Sequence, residues 1–433
     1  MMTKYFQKKI TKGKSLFLFL LLFSVWGCTL AMPAAMFSCP LYKTASAEPL
    51  EEGETSEEEK TLGEDSDSLG ITASSAVLIE GSTGRILYEK EKDTEMIPAS
   101  ITKIMTLLLI MEALENGTIS LTDEVTVSEY AASMGGSQVY LEPFETQTVD
   151  TMLKCISIAS ANDAAVAMAE HISGSEAEFV ARMNERAAEL GMKHTHFLNC
   201  NGLDDSIESG HYSSAYDVAL MSRELIMNHP DIVKYTTTWM DTITHTTKKG
   251  TSEFGLTNTN KLLRIYDGIT GLKTGSTSKA KYCLSATSSR NGLTMIAVVM
   301  AAPEPKIRFT QAASLMDYGY ANCTLYQDDA GDIDISKIPI SGATISNISG
   351  TLDRTFSYPC TAKENPEEIT KKVKLPKAVK APVKKGDTIG SITYYLGKTE
   401  IGSIKIKASR SVKKANYLDY LLSLASRCFG LVR

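Results

Sequence analysis

Residues 98–112 read Pro98-Ala99-Ser100-Ile101-Thr102-Lys103-Ile104-Met105-Thr106-Leu107-Leu108-Leu109-Ile110-Met111-Glu112. Residues 101–114 have the apolar density of a buried helix, and Ser100 stands at its start. Ser100 and Lys103 are three apart, so on a helix they share one face within reach of each other. Alone this spacing is weak. It also fits a helix-capping serine followed by an exposed first-turn lysine, and this composition produces about three such pairs by chance.

Two further motifs follow along the chain, Ser160-Ala161-Asn162 and Lys273-Thr274-Gly275. Each has its own plain reading, as polar groups at a helix start and as a surface charge. The third is the rarest, expected by chance in about one such chain in five. Together and in this order they form a specific signal for acyl-serine chemistry. A hydroxyl is a weak nucleophile until a base takes its proton. Lys103 is a base only when neutral, and both burial and the ammonium of Lys273 would lower its pKa. Ser100 near a helix N-terminus sits where a developing oxyanion is favoured. Its own N–H is one donor, and the N–H of Ser276 is the candidate for the second. Gly275 would let a substrate backbone approach closely. Ser160 could relay a proton to a leaving amine, and Asn162 could hold a substrate amide.

Around these motifs strand and helix patterns alternate. Residues 76–80 and 84–89 read as a hairpin turning at Gly81-Ser82-Thr83-Gly84. Residues 149–171 and 176–190 read as helices, 282–287 and 293–300 as paired strands turning at Arg290-Asn291-Gly292, and 308–320 as a closing helix. The implied fold class is mixed α/β.

The 433 residues carry 45 Lys+Arg against 51 Asp+Glu, with 43% hydrophobic and 22% charged content. These values exclude a wholly disordered, collagen-like or polytopic membrane chain. They also argue against nucleic acid as a partner, because no global basic surface exists. The charge is uneven. Six lysines and no acid lie in residues 1–47, and an apolar run starts at Leu16, the pattern of a secretory signal peptide ending at Ala45-Ser46-Ala47. An uncleaved anchor and a lipid attachment at Cys28 are the alternatives. Residues 48–70 are acidic and lack aromatics, as in a disordered tether. The eight cysteines form no CxxC pair, so buried thiols are expected rather than a zinc or redox motif. His194 and His196 lack a third ligand nearby, and no metal or cofactor is called for.

Beyond residue 325 the composition changes. Strand-like runs recur at 343–348, 369–375, 388–395 and 401–406, giving a small all-β domain over 326–409. Its lysine-rich stretch, 371–385, is either a polyanion site or a solvated strand face, and the second is favoured. Residues 410–433 form a terminal segment in which Leu418, Leu421, Leu422, Ala425, Cys428, Phe429 and Val432 share one side at helical pitch. The segment is short and charged for a bilayer span. It fits an amphipathic helix in a membrane interface, or one packed on the protein itself.

Beyond the trio, Ser160-Ala161-Asn162-Asp163-Ala164-Ala165, Leu190-Gly191-Met192-Lys193-His194-Thr195-His196-Phe197, Asn201-Gly202-Leu203-Asp204, His211-Tyr212-Ser213-Ser214-Ala215-Tyr216-Asp217 and Ile296-Ala297-Val298-Val299-Met300 are family-like. With them residues 71–322 strongly resemble the D-alanyl-D-alanine carboxypeptidases, the low-molecular-mass penicillin-binding proteins, and the β domain resembles them weakly. The resemblance implies an antiparallel sheet with helices on both faces and a nucleophile in the crevice beside a helical subdomain. It implies Ser100 as the acyl-enzyme nucleophile, Lys103 as proton acceptor and Ser160 as second active serine. Lys273, Thr274, Gly275, Ser276 and Asn162 would bind substrate, and Arg308 would hold its terminal carboxylate, since guanidinium pairs bidentately with carboxylates. His211 would be structural. Ser276 departs from the family, where Tyr or His is frequent. The implied substrate is a peptidoglycan stem peptide, with β-lactams as covalent inhibitors and a location at the outer face of the cytoplasmic membrane or in the cell wall. The rival readings are a serine β-lactamase and a non-catalytic penicillin-binding wall protein. The first needs a water-activating base for fast deacylation, and the family-like segments favour the peptidase.

Overall fold

The protein is described by a computed structural model over residues 69–428 apart from Ser206. The signal segment, nearly all of the acidic tether, and Phe429 and Val432 of the terminal apolar side lie outside the described residues. The first elements are β1 (Ser75–Glu80), β2 (Ile86–Lys90) and α1 (Lys103–Glu115), the last entered through a 3-10 turn over Ala99–Thr102. Then come β3 (Glu124–Thr126), α2 (Glu129–Ala132), β4 (Thr146–Thr148), α3 (Val149–Ile158), α4 (Asn162–Ser173), α5 (Glu176–Glu189), α6 (Ala215–Asn228) and α7 (Val233–Thr236). A hairpin, β5 (Met240–Thr247) with β6 (Gly250–Thr257), leads to β7 (Ile269–Thr277), β8 (Lys281–Arg290), β9 (Leu293–Ala302) and α8 (Ile307–Asn322).

Five strands make one sheet in the order β2-β1-β9-β8-β7, every pair antiparallel. Both faces are apolar, and strand alternation assigns the residues. Val77, Ile79, Ile296 and Val298 join the core that contains α1, α3, α4 and α6. Ala76, Leu78, Ala297 and Val299 join the other core, against Phe309, Leu315 and Met316 of α8. The sheet is therefore covered by helices on both faces, as the sequence implied.

Residues 149–171 are not one helix. The chain breaks between α3 and α4, and Ser160 takes φ +63 there. Such a φ is unfavourable for a residue with a Cβ. The break is held by the Ala161 N–H donating to the Cys155 carbonyl at 3.1 Å and the Asn162 N–H donating to the Ser137 carbonyl at 2.7 Å. The apolar pattern runs through both helices and hides the corner.

After α8 the chain enters β10 (Cys323–Asp328), β11 (Ile338–Ser341), β12 (Asn347–Ile348), β13 (Gly350–Leu352), β14 (Phe356–Thr361), β15 (Ile369–Lys374), β16 (Val379–Lys380), β17 (Thr388–Leu396) and β18 (Thr399–Ala408). The sheet β13-β18-β17-β15 packs Ile392, Tyr394, Ile404 and Ile406 into a separate core, where the Tyr394 ring stacks on Phe356 at 3.7 Å. Lys371, Lys372 and Lys374 lie on β15, the edge strand, where charge blunts an exposed edge. This β-rich part is tied to the catalytic sheet by Arg85, which donates to Glu364 at 2.7 Å and to the Tyr358 hydroxyl at 3.1 Å. The last element, α9 (Tyr417–Cys428), exposes Leu418, Leu421, Leu422 and Leu424. Among the described residues no helix is long and apolar enough to cross a membrane.

Candidate active site

Ser100 lies in the 3-10 turn and not at a helix cap. The N-cap of α1 is Thr102, and its side chain makes no capping bond. The Ser100 hydroxyl is thus free of backbone duty. Nor is Lys103 a surface lysine, since it is fully buried. Its Nζ lies 3.1 Å from Ser100 Oγ, 2.5 Å from Asn162 Oδ1 and 2.6 Å from the Asn201 carbonyl. The Asn162 amide is oriented by its other end, which donates to the Gly135 carbonyl at 2.7 Å. A neutral amine has two N–H donors and one lone pair. The two pure acceptors, Asn162 Oδ1 and the Asn201 carbonyl, take the donors. The lone pair is left for the Ser100 hydroxyl, the one partner that can donate.

Burial lowers the Lys103 pKa to about 7, against weaker upward pulls from Cys200 and Asp163. The ammonium of Lys273 is not among the causes, which differs from the sequence expectation. The repulsion appears on the other partner. Lys273 is held well below the ordinary lysine range by burial first, then by the charges of Lys103 and Arg308. Lys273 donates to Ser160 Oγ at 2.8 Å and to the Thr274 carbonyl at 3.0 Å. Ser160 accepts there, which leaves its own proton available to another acceptor.

Gly275 also has a packing reason to be glycine. A Cβ there would sit 2.7 Å from the Pro98 carbonyl and 3.1 Å from the Ile101 nitrogen. Gly275 lets β7 close onto the turn that carries Ser100. Ser276, one residue on along β7, is exposed. Thr274 Oγ1 donates to Thr259 Oγ1 at 2.7 Å. Arg308 donates through Nη1 to the Gly275 carbonyl at 2.9 Å and the Cys283 carbonyl at 3.3 Å, and its buried Nε has no partner among the described residues. Burial lowers its pKa, although it stays a guanidinium at any ordinary pH. Ser100, Lys103, Ser160, Asn162, Lys273, Thr274, Gly275, Ser276 and Arg308 thus belong to one neighbourhood where α1, the α3–α4 corner, β7 and α8 meet.

Sequence reasoning missed the loop that aims Lys103. Asn199 Oδ1 accepts the Gly202 N–H at 2.7 Å, and Asn199 Nδ2 donates to the Leu203 carbonyl at 2.8 Å. This turn delivers the Asn201 carbonyl to Lys103. Gly202 has φ +81, and a Cβ there would lie 1.8 Å from the Ala99 carbonyl oxygen, so only glycine fits beside Ala99, the residue before Ser100. The Asn-Gly pair was a visible turn signal, but its target was not. His211 supports the same turn. Its Nδ1 accepts the Leu198 N–H at 3.0 Å, so Nε2–H donates to Thr102 Oγ1 at 2.9 Å. Burial pushes its pKa down to about 4, which keeps the ring neutral.

His194 and His196 do not converge: His194 faces Glu95 at 3.8 Å, while His196 Nδ1 donates to the Gly210 carbonyl at 2.6 Å. Glu112, Glu224 and His229 place ligand-type atoms within 4.8 Å of one another. Both carboxylates there are already paired with Arg186, at 2.8 and 2.6 Å.

Comparison with known proteins gives the same class. The sequence model of the D-alanyl-D-alanine carboxypeptidase family matches residues 60–304, and that of the penicillin-binding protein 5 C-terminal domain matches residues 322–414. The chain is 42% identical over 362 residues to the D-alanyl-D-alanine carboxypeptidase DacF of Bacillus subtilis, covering 84% of this chain and 91% of that relative. It is similar to a crystal structure of a peptidoglycan synthesis regulatory factor (PBP3) from Streptococcus pneumoniae, at 30% identity and TM-score 0.65 over 79% of this chain and all of the other. Penicillin binding protein 5 from Haemophilus influenzae is similar at 30% identity and TM-score 0.62, over 79% of this chain and 98% of the other. The chain belongs to the D-alanyl-D-alanine carboxypeptidase family. It is a serine-type, penicillin-binding hydrolase that removes the terminal D-Ala from peptidoglycan stem peptides.

Proposed function

We propose that Ser100 is the nucleophile of this reaction and that neutral Lys103 is its base. The observation that carries this is the Nζ of a fully buried Lys103, 3.1 Å from Ser100 Oγ and also in contact with Asn162 Oδ1 and the Asn201 carbonyl. Ser100 Oγ attacks the penultimate D-Ala carbonyl, and its proton passes to Lys103 Nζ. The oxyanion is held by the N–H groups of Ser100 and Ser276. The amine of the terminal D-Ala leaves with a proton relayed through Ser160, which Lys273 orients. Water then attacks the acyl-enzyme and gives its proton to Lys103, which restores Ser100. Arg308 holds the terminal carboxylate of the substrate, and Asn162 and Thr274 fix its backbone. β-Lactams acylate the same Ser100.

The chain division that goes with this mechanism is a signal over 1–47, a tether over 48–70, a catalytic domain over 71–325, a β-rich domain over 326–409 and a terminal segment over 410–433. The protein is exported and works at the outer face of the cytoplasmic membrane. There the exposed leucines of α9 lie in the lipid interface, and Lys413 and Lys414 precede them.

The test is release of D-Ala from a soluble peptide ending in D-Ala-D-Ala, measured beside hydrolysis of ampicillin. Peptide turnover that disappears in Ser100→Ala, with ampicillin held as a slow acyl-enzyme, supports the proposal. Rapid ampicillin turnover without peptide turnover would make the protein a β-lactamase. Peptide turnover that survives Ser100→Ala would remove Ser100 from the mechanism.

A further inference from the structure

A second cavity, of about 390 Å³, lies between the 139–145 loop and the β5–β6 hairpin. That volume is in the range of ligand clefts. His245 lines it, only 8% exposed, and its Nε2 is buried without a hydrogen-bond partner among the described residues. The other ring nitrogen is committed. Nδ1 lies 2.8 Å from Oε1 of buried Glu145, which also accepts from Gln147 at 2.7 Å, while Oε2 accepts the Glu142 N–H at 2.9 Å. Both Glu145 oxygens are therefore engaged as acceptors, and Oε1 holds the Nδ1 proton. A buried orphan nitrogen is costly, so its retention needs a reason.

The wall above it is aromatic. The Tyr140 ring meets Phe254 edge-on at 5.9 Å, and Phe254 meets His245 at 5.9 Å. Tyr140 is 64% exposed and Phe144 66%, and both have positive φ, at +61 and +69. Bulky residues avoid that region, so the loop is held against local preference. The Asp163 carboxylate holds it, accepting the N–H groups of Val139 and Leu141 at 3.1 Å each, and Phe144 N–H donates to the Val127 carbonyl at 2.7 Å. Asp163 is next to Asn162, so one helix start supports both the active site and this loop. Ser137, whose carbonyl holds the Asn162 N–H, is three residues from Tyr140, at most about 10 Å of extended chain.

We propose that this cavity is a glycan-binding subsite. Tyr140 and Phe254 present flat apolar faces to sugar rings, His245 Nε2 bonds a sugar hydroxyl, and Ser252 and Thr251 supply rim hydroxyls. A hydroxyl suits Nε2 in either state of the ring, since it donates to a neutral imidazole and accepts from a protonated one. Anions are disfavoured, because Glu142 and Glu253 outnumber Lys249 on the wall. The inference rests on the carboxypeptidase reading only in naming the sugar chain, the glycan strand to which stem peptides are attached. Such a subsite would hold the strand while its peptide enters the cleft.

The test is isothermal titration of the full chain with a tetramer of N-acetylglucosamine, using wild type, Tyr140→Ala and His245→Phe. Binding by wild type that weakens tenfold or more in the variants supports the subsite. Tyr140→Ala changes an exposed ring and keeps the test decisive if His245→Phe does not fold. No binding by a wild type that turns over free D-Ala-D-Ala peptide overturns the subsite and leaves the carboxypeptidase reading intact. Equal binding by wild type and Tyr140→Ala also overturns it.

Discussion

Lys103 in the catalytic part and Lys371 in the β-rich part are the same residue type under opposite pressures. Lys103 is buried among carbonyl and amide oxygens with no carboxylate partner among the described residues, and its pKa falls to about 7. Lys371 is partly buried too, which pulls its pKa down. Asp328 at 2.7 Å and Asp332 outweigh that, so the net shift is upward. Neutral oxygens orient an amine without fixing its charge, whereas carboxylates lock it as an ammonium. The first arrangement leaves a lone pair for chemistry and the second makes a strut. Lys273 follows the first pattern with two cations near it, which suits a group that orients Ser160.

The comparison breaks if the two lysines respond alike to removal. Lys103→Met keeps the volume and removes the base. Acylation by penicillin should fall by about 10³-fold or more while thermal unfolding stays cooperative. Gly275→Ala should have a smaller effect. The added methyl meets the Pro98 carbonyl at 2.7 Å and forces β7 from the Ser100 turn. Acylation should drop about tenfold or more and stability by about 1–3 kcal/mol, read from rate and from denaturant unfolding of the same sample. Lys371→Ala should do least. It removes a partly exposed pair on the edge strand, so a loss of about 1 kcal/mol is expected, with no change in acylation rate. An acylation defect in Lys371→Ala would join the two halves functionally and remove the contrast.

Much of this was legible in the sequence because it rests on patterns that survive without the fold. The apolar run of α1, the paired strands β8 and β9, and the order of the three motifs needed only local spacing. What was not legible depends on contacts between distant segments. The α3–α4 corner at Ser160 is hidden because Ile156, Ile158, Val166 and Met168 keep the apolar pattern running through it. Hairpin β5–β6 went unread because Thr242, Thr244 and Thr246 alternate with residues of mixed polarity, including His245. Gly275 was visible as a glycine, but its packing against Pro98 requires β7 to lie on the α1 turn. The Asn201 carbonyl is main chain, so no side-chain motif could announce it.

The most direct measurement is the rate of acylation by a fluorescent penicillin as a function of pH, with the modified peptide mapped by mass spectrometry and Ser100→Ala as the blank. A base acts only unprotonated, so the activity of Lys103 is present above its pKa and lost as pH falls through it. The label should map to the peptide containing Ser100, and the rate should rise about tenfold per pH unit below a midpoint of about 7, then level off. A label on another residue, or a rate indifferent to pH across that midpoint, would contradict the assignment of Ser100 and neutral Lys103 as nucleophile and base.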